Sequence, residues 1–170
     1  MCEYCGCQAI AAIDELTREH DLVVNLISDV QAAHGRGDTE RMAAQARRIT
    51  AILGPHTAVE EQGLFPALTE AFPDHVTALT DEHRRIEAVL DAAAIGTPTD
   101  PAWPDELISV LRLLRQHILK EQDGVFPAAL GSLSPTEWDA VEAVRAQVGT
   151  LLPPSDGQIA TKGTQAPIRG

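Results

Sequence analysis

The chain has 170 residues, of which 44% are apolar and 4% aromatic, and its formal net charge is −12. This length and apolar content suit one domain with a sizeable core, while the negative charge argues against nucleic acid or an anionic membrane as a partner, because both would repel the surface. The sequence has neither an apolar run of the roughly 20 residues that span a bilayer nor the basic-then-apolar start of a signal peptide, so we expect a cytoplasmic protein.

The first half of the chain predicts two helices, because apolar residues recur there at steps of three and four. The first helix covers about residues 12–34 and stops at the glycines of segment 35–37. The second begins behind Asp38, a residue type that commonly caps helix N-termini. It ends or bends at Phe65-Pro66.

The second half predicts three further helices by the same pattern. The third opens near Pro73, and the fourth follows the loop 96–101. The segment Ser134-Pro135-Thr136-Glu137 has the residue types of a capped helix start, so a short fifth helix is expected to about Val148. Short loops between long helices favour antiparallel neighbours. We therefore expect an all-α protein with an up-down-up-down four-helix bundle.

The predicted bundle, with the short fifth helix, occupies residues 12–150, between a cysteine-containing arm over 1–11 and a loose C-terminal tail over 151–170. The arm contains all the cysteines of the chain, Cys2, Cys5 and Cys7, which therefore cannot staple the core. This usage agrees with a reducing compartment. The spacing suits a redox-active or metal-binding arm, but three thiolates leave a tetrahedral site one ligand short. A flexible thiol-bearing segment is an equal alternative.

Six potential metal ligands interrupt the apolar stripes of the predicted helices, in two matching halves. They are His20, His56 and Glu60 in the first half, and His83, His117 and Glu121 in the second. The halves are offset by 61 to 63 residues, and the segments that follow their second histidines share Gly, Phe, Pro and Ala at the same spacing. This pattern indicates an internal duplication of a helix pair.

Burial of these imidazoles and carboxylates among apolar side chains would cost on the order of several kcal/mol per charge without a partner. A bound cation removes this cost. Nitrogen and oxygen ligands without thiolate suit iron, manganese or zinc, and two carboxylates that can each bridge favour a two-metal site. A lone histidine on an apolar face is more often a hydrogen-bonded core residue, but four in register, two of them with glutamates four residues later, make coincidence improbable.

Several carboxylates and amides flank the six residues, and we expect them to orient the ligands or to face solvent. They are Glu19, Asp21, Glu61, Glu82 and Gln122. Glu87 is a weaker candidate for an extra ligand, because it follows His83 by one turn. Its position on the stripe is less central than that of Ile86, so a solvated or orienting carboxylate is the preferred interpretation.

The order His, His-x3-Glu, His, His-x3-Glu resembles the haemerythrin-like cation-binding family of HHE domains. The run Glu-Glu-x2-Leu-Phe-Pro-x-Leu after the second histidine supports the resemblance, which covers roughly residues 12–130. It implies a four-helix bundle around two iron ions joined by an oxo or hydroxo bridge. It also implies terminal ligands at the four histidines and bridging carboxylates at Glu60 and Glu121. Ferritin-like bundles use Glu-x-x-His pairs instead, which no ligand histidine here has.

The chain departs from the oxygen-carrying haemerythrins, which take a fifth histidine from a His-x3-His pair on the third helix. The positions four residues from His83 are Leu79 and Glu87. A centre without that histidine keeps more exchangeable metal positions, which favours reaction over reversible oxygen carriage. The same ligand set resembles the domain in repair-of-iron-centres proteins and in iron- or oxygen-responsive members of the family.

Three functions are compatible with this sequence, and we rank them in the following order. The first is a redox enzyme, such as a peroxide-decomposing, catalase-like oxidoreductase, that reacts with hydrogen peroxide, oxygen or nitric oxide. The second is a binding module that senses oxygen, nitric oxide or iron, or that holds iron for the repair of iron centres. The third is a structural role in which zinc fastens the helices.

Overall fold

The computed structural model describes residues 6–153, and this part of the chain is helical with no β-strand. Its elements are α1 (Gly6–Gly35), α2 (Thr39–Val59), the π-helical turn π1 (Glu60–Leu64), α3 (Phe65–Leu68), α4 (Pro73–Asp91), α5 (Trp103–Lys120), the π-helical turn π2 (Glu121–Val125), α6 (Phe126–Ser132) and α7 (Pro135–Val148). Among the described residues, no helix is both long and apolar enough to cross a membrane.

The four long helices contact one another in a closed cycle. α1 packs against α2 and α5, and α4 packs against the same two helices. Their apolar side chains form two separate clusters: Leu16 and Leu79 belong to one, and Val23 and Ile86 to the other. Since His20 lies between Leu16 and Val23 on α1, and His83 between Leu79 and Ile86 on α4, the histidines form a polar layer where the two clusters meet.

The helix ends follow local signals, with one difference from the sequence prediction. The Asp38 side chain accepts a hydrogen bond from the backbone N–H of Arg41 (2.9 Å), and Ser134 forms a capping box with Glu137. α1, however, begins at Gly6 rather than near residue 12, with Ala9 buried in the core. Ala9 lies four residues before Ile13 and continues the same stripe, but alanine is a weak apolar signal, so the sequence prediction began the helix later.

The proposed roles of the cysteine arm and the loose tail fall mostly outside the described residues. Cys2 and Cys5 precede them, and residues 154–170 follow them. The backbone of Cys7 belongs to the first turn of α1, but its side chain is not among the described ones. These two expectations therefore stay predictions.

A π-helical turn begins at each of the two glutamates of the duplicated motif. The backbone N–H of Phe65 donates to the carbonyl of Glu60, five residues earlier, and that of Phe126 donates to the carbonyl of Glu121. Each turn is followed by a proline, which has no N–H and whose ring clashes with the carbonyl four residues before it. A wider turn relieves that clash. The prediction that the second helix ends or bends at Phe65-Pro66 agrees with this geometry.

The turn π1 lies directly against α7. A Cβ atom added at Gly63 would lie 3.0 Å from the Cα of Val141, closer than side chains ordinarily approach a backbone. The duplicated Gly124 differs, because a Cβ there would meet no neighbouring atom within 4 Å in the described part of the chain. Gly63 therefore permits the close packing of α7 on the ligand-bearing turn.

We expect Gly63→Ala to lower the thermal midpoint relative to Gly124→Ala. Alanine favours helical backbone over glycine by about 1 kcal/mol, equivalent to about 2–4 °C in a domain of this size. Gly124→Ala should keep this gain, whereas at Gly63 the contact with Val141 should offset or reverse it. Thermal unfolding followed by circular dichroism measures both variants. Equal gains at the two positions would show that α7 is not held by this contact.

Candidate metal centre

The six predicted ligands lie together inside the bundle, and each has at most 5% of its surface exposed. They form two groups of four, and both glutamates belong to both groups. The groups are His20, His56, Glu60 and Glu121, and Glu60, His83, His117 and Glu121. Within each group, one ligand atom from every residue lies within 4.8 Å of all the others. Each group can therefore hold one cation, and the shared carboxylates can serve both.

Glu60 directs one oxygen to each group. Its Oε1 lies 3.2 Å from Nε2 of His56, and its Oε2 lies 3.3 Å from Nε2 of His83. A carboxylate that faces both groups with different oxygens has the geometry of a bridging ligand.

Glu121 repeats this arrangement from the other half of the duplication. Its Oε2 lies 3.1 Å from Nε2 of His20, and its Oε1 lies 2.9 Å from Nε2 of His117. Each group thus contains the two histidines of one half of the duplication and one oxygen from each glutamate. The two-fold repeat in the sequence becomes a nearly symmetric arrangement of donor atoms.

A metal pair fits these residues better than hydrogen bonding does. All four carboxylate oxygens of Glu60 and Glu121 are buried, and none has a hydrogen-bond partner among the described residues. The imidazole nitrogens are close to them but do not meet them in hydrogen-bond geometry. Buried polar atoms without partners are rare and costly. Divalent cations that accept nitrogen and oxygen donors would satisfy them all.

Three histidines are oriented by carboxylates on the side away from the cluster. Each ring donates its Nδ1–H to a carboxylate oxygen. The distances are 2.8 Å for His56 and Glu19, 2.9 Å for His83 and Glu61, and 2.8 Å for His117 and Glu82. This contact selects the tautomer whose Nε2 lone pair faces the cluster. The orienting role expected for these three glutamates is thus confirmed by their contacts.

His20 is the exception to this arrangement. Its Nδ1 is buried and has no hydrogen-bond partner among the described residues. The duplication relates His20 to His83, so the residue equivalent to Glu61 is Gln122, and no hydrogen bond joins it to this ring. Asp21 is exposed. Of these two flanking residues, Asp21 therefore faces solvent, and Gln122 is half-buried without a hydrogen bond to the ring of His20.

The charges of the site shift the pKa values of His56, His83 and His117 upward. Burial opposes a charged imidazole, but attraction to Glu60 and the hydrogen bond to Glu19 outweigh it and raise the pKa of His56 to about 10. Against the same penalty of burial, contacts with Glu60 and Glu61 raise the pKa of His83 to about 9. Burial likewise opposes the charged form of Glu60, yet the neighbouring imidazoles bring its pKa well below the usual range. Without metal, these shifts favour charge pairs between the imidazolium groups of His56 and His83 and the carboxylate of Glu60.

Two phenylalanines of the repeated Phe-Pro motif stack on ligand histidines. Phe65 lies 5.8 Å from the ring of His83 at an interplanar angle of 10°, and Phe126 lies 5.6 Å from the ring of His20 at 11°. The two pairs are related by the duplication. Sequence reasoning found this motif but not its role, although the identical position of phenylalanine in both halves was the available signal.

A cavity of about 10 Å³ adjoins the four histidines. Its remaining walls are Leu53, Thr57, Ile86 and Leu114. The sequence pattern did not single out Thr57 as a residue that lines the site. A space of this volume holds about one water molecule. The side of the centre that the cavity reaches is therefore open only to very small molecules.

Glu87 does not join the cluster. It is exposed, and it belongs to neither group of potential ligands. The solvated interpretation preferred from its position on the stripe therefore agrees with the structure, and the idea of an extra ligand does not.

The fold and the site together define a helical protein with buried histidine and glutamate groups that could hold metal cations between its helices. The sequence model of the hemerythrin HHE cation binding domain matches residues 11–129, and the chain belongs to this family. The resemblance stated from the motifs is thereby confirmed. No curated protein and no solved structure gave a significant match. α7 lies beyond the matched segment.

Proposed function

We propose that this chain is a non-haem di-iron protein that reacts with a small oxidant. Its terminal ligands are His20, His56, His83 and His117, and its bridging ligands are Glu60 and Glu121. The observation that carries this proposal is the position of the two glutamates, each of which offers one oxygen to each histidine pair. The proposed bundle runs up-down-up-down, which agrees with the closed cycle of helix contacts.

When bound, two iron ions would supply electrons to the oxidant or accept them from it. The residues of the chain orient the ligands and exclude water from the site. Glu61 and Glu82 fix the rings of His83 and His117 by hydrogen bonds, and the apolar clusters on both sides of the ligand layer exclude water. The lack of a fifth histidine leaves exchangeable positions for the oxidant.

The size of the cavity beside the histidines supports a small oxidant. A space for about one water-sized molecule suits hydrogen peroxide, oxygen or nitric oxide and excludes organic substrates. Hydrogen peroxide is our first choice, so the proposed activity is peroxide decomposition in the cytoplasm.

We expect iron-loaded protein to contain two irons per chain, to be coloured, and to consume peroxide while releasing half as much oxygen. His117→Ala removes one terminal ligand and should reduce this turnover to the level of free iron. Elemental analysis, a visible spectrum and an oxygen electrode measure these properties. Equal turnover by the variant, or none above free iron in the wild type, would defeat the enzymatic proposal. A colourless protein that purifies with zinc would support the structural role instead.

A sensing or iron-holding module is the second proposal, and one contact favours it. Glu19, which orients His56, is also bound by Arg145 of α7. A change at the metal centre would therefore alter the contacts of α7, which lies outside the matched residues 11–129. A protein that binds iron and oxidant but does not turn over peroxide would fit this module.

A further inference from the structure

Glu19 is a buried carboxylate that joins α7 to the metal ligands. Only 1% of its surface is exposed. Its Oε2 accepts hydrogen bonds from Nδ1 of His56 (2.8 Å) and from Nη2 of Arg145 (2.8 Å). Its Oε1 accepts from Nη1 of Arg145 (2.9 Å) and from the hydroxyl of Thr150 (2.6 Å). The guanidinium therefore holds this carboxylate at both oxygens, the strongest form of such a contact.

In the second half of the duplication, a different cation is paired with the equivalent carboxylate. Glu82, the equivalent of Glu19, orients His117 and pairs with Lys120, which lies on the same helix as His117. The Lys120 side chain is 53% exposed. At the equivalent position the first half has Val59, which is buried and apolar. The first half thus has no cation of its own there, and Arg145 provides one from α7.

Arg145 is itself held in position by other contacts. Its Nε lies 2.8 Å from Oε1 of Glu15, and its Nη1 also donates to the carbonyl of Gly149 (2.9 Å). The packing of Val141 on Gly63 brings α7 onto the ligand-bearing turn π1. A guanidinium fixed on several sides fixes in turn the carboxylate that it binds.

We propose that α7 and the turn after it complete the metal centre. Arg145 is a positioning residue that keeps Glu19 against His56, and Thr150 assists it. This inference rests on the proposed metal-binding function and deepens it, because it makes the two metal positions unequal. The position that uses His20 and His56 depends on a helix beyond residues 11–129. The position that uses His83 and His117 has its corresponding cation, Lys120, within those residues.

The test is titration of the full-length, metal-free protein with Zn²⁺, and with Co²⁺, whose absorption reports the geometry of each site. Wild-type protein should bind two ions. Arg145→Gln should weaken one of the two sites by about 10- to 100-fold, as expected for loss of an orienting partner, and leave the other unchanged. Arg145→Lys should restore part of the affinity, because it returns the charge but not the paired contact.

Lys120→Gln is the matched control, since it removes the corresponding cation from the other half. The Lys120 side chain is 53% exposed, so its loss should weaken binding by a few-fold at most. Two wild-type affinities in Arg145→Gln with unchanged helical content would overturn the inference. So would an equal loss at both sites.

A second variant covers the case in which Arg145→Gln does not fold. Thr150→Val removes the hydrogen bond that this exposed residue donates to Glu19, together with the one that its hydroxyl accepts from the backbone N–H of Leu152. It should weaken the same site by a few-fold and alter its Co²⁺ spectrum, and unchanged binding and an unchanged spectrum would overturn the inference. Failure of the wild type to bind two ions would instead count against the proposed metal centre, so the two failures are distinguishable.

Discussion

Glu60→Gln is expected to abolish the metal pair. The substitution keeps the size of the side chain but removes the negative charge that faces His56 and His83 with separate oxygens. Loss of a residue that merely orients a ligand costs about 10- to 100-fold in affinity, so loss of a shared ligand should exceed about 100-fold. Glu121→Gln should behave in the same way, because its oxygens face the other two histidines.

The measurement is metal content after desalting, together with thermal unfolding in the presence and absence of metal. Wild-type protein should gain stability from metal, since a ligand that binds only the folded state stabilises it. The Glu60→Gln protein should show little gain. Glu87→Gln is the control, because Glu87 follows His83 by one turn but is exposed and outside both ligand groups. Retention of two metals by Glu60→Gln would show that this carboxylate does not bridge.

Metal-free protein is expected to lose stability steadily as the pH rises from about 6.5 to about 10. The pKa of His56 is raised to about 10 and that of His83 to about 9, above the ordinary value of 6.5. Between those values the folded state binds more protons than the unfolded state, so stability falls with rising pH. The lowered pKa of Glu60 acts in the opposite direction, and its contribution is lost as the pH falls below about 4.5. Maximal stability should therefore lie between about pH 4.5 and 6.5.

Bound metal should reverse the alkaline part of this profile. Metal replaces the protons on the imidazoles, so its affinity rises with pH, and the difference in thermal midpoint between loaded and metal-free protein should be larger near pH 8.5 than near pH 6. Thermal unfolding across this range checks both curves. Glu60→Gln should flatten the fall of the metal-free curve, because Glu60 raises the pKa of both His56 and His83. A metal-free midpoint that is constant or rising from pH 6.5 to 9 would contradict the charge-pair description.

Much of the fold and the ligand set could be predicted because their signals are local. The helix starts at Asp38 and Ser134 depend on side-chain contacts within three residues. The placement of His20 and His83 in the interior follows from apolar neighbours at helical spacing on the same helix. The duplication then made the six residues a single set. The family match over residues 11–129 agrees with this, because the chain has the residue of the family motif at all six positions.

Other features were missed because they depend on how distant elements pack. The wide turns that begin at Glu60 and Glu121 could have been suspected from the following prolines, but a proline can also kink or end a helix, so the sequence did not select the π geometry. The early start of α1 was missed because Ala9, four residues before Ile13, is a small residue whose burial depends on the elements packed against α1. Thr57 faces the small cavity only because α2 carries it beside the other histidine-bearing helices.

By itself, the sequence determined where the long helices lie and which six potential ligands must be buried, since both follow from spacing along one helix. Only the tertiary structure decided which atoms meet. The division of the oxygens of Glu60 between His56 and His83 requires two helices to be in register. The contact between Glu19 and Arg145 joins residues 126 positions apart. Contacts of this kind arise from the relative positions of packed helices, and no short stretch of sequence encodes that relation.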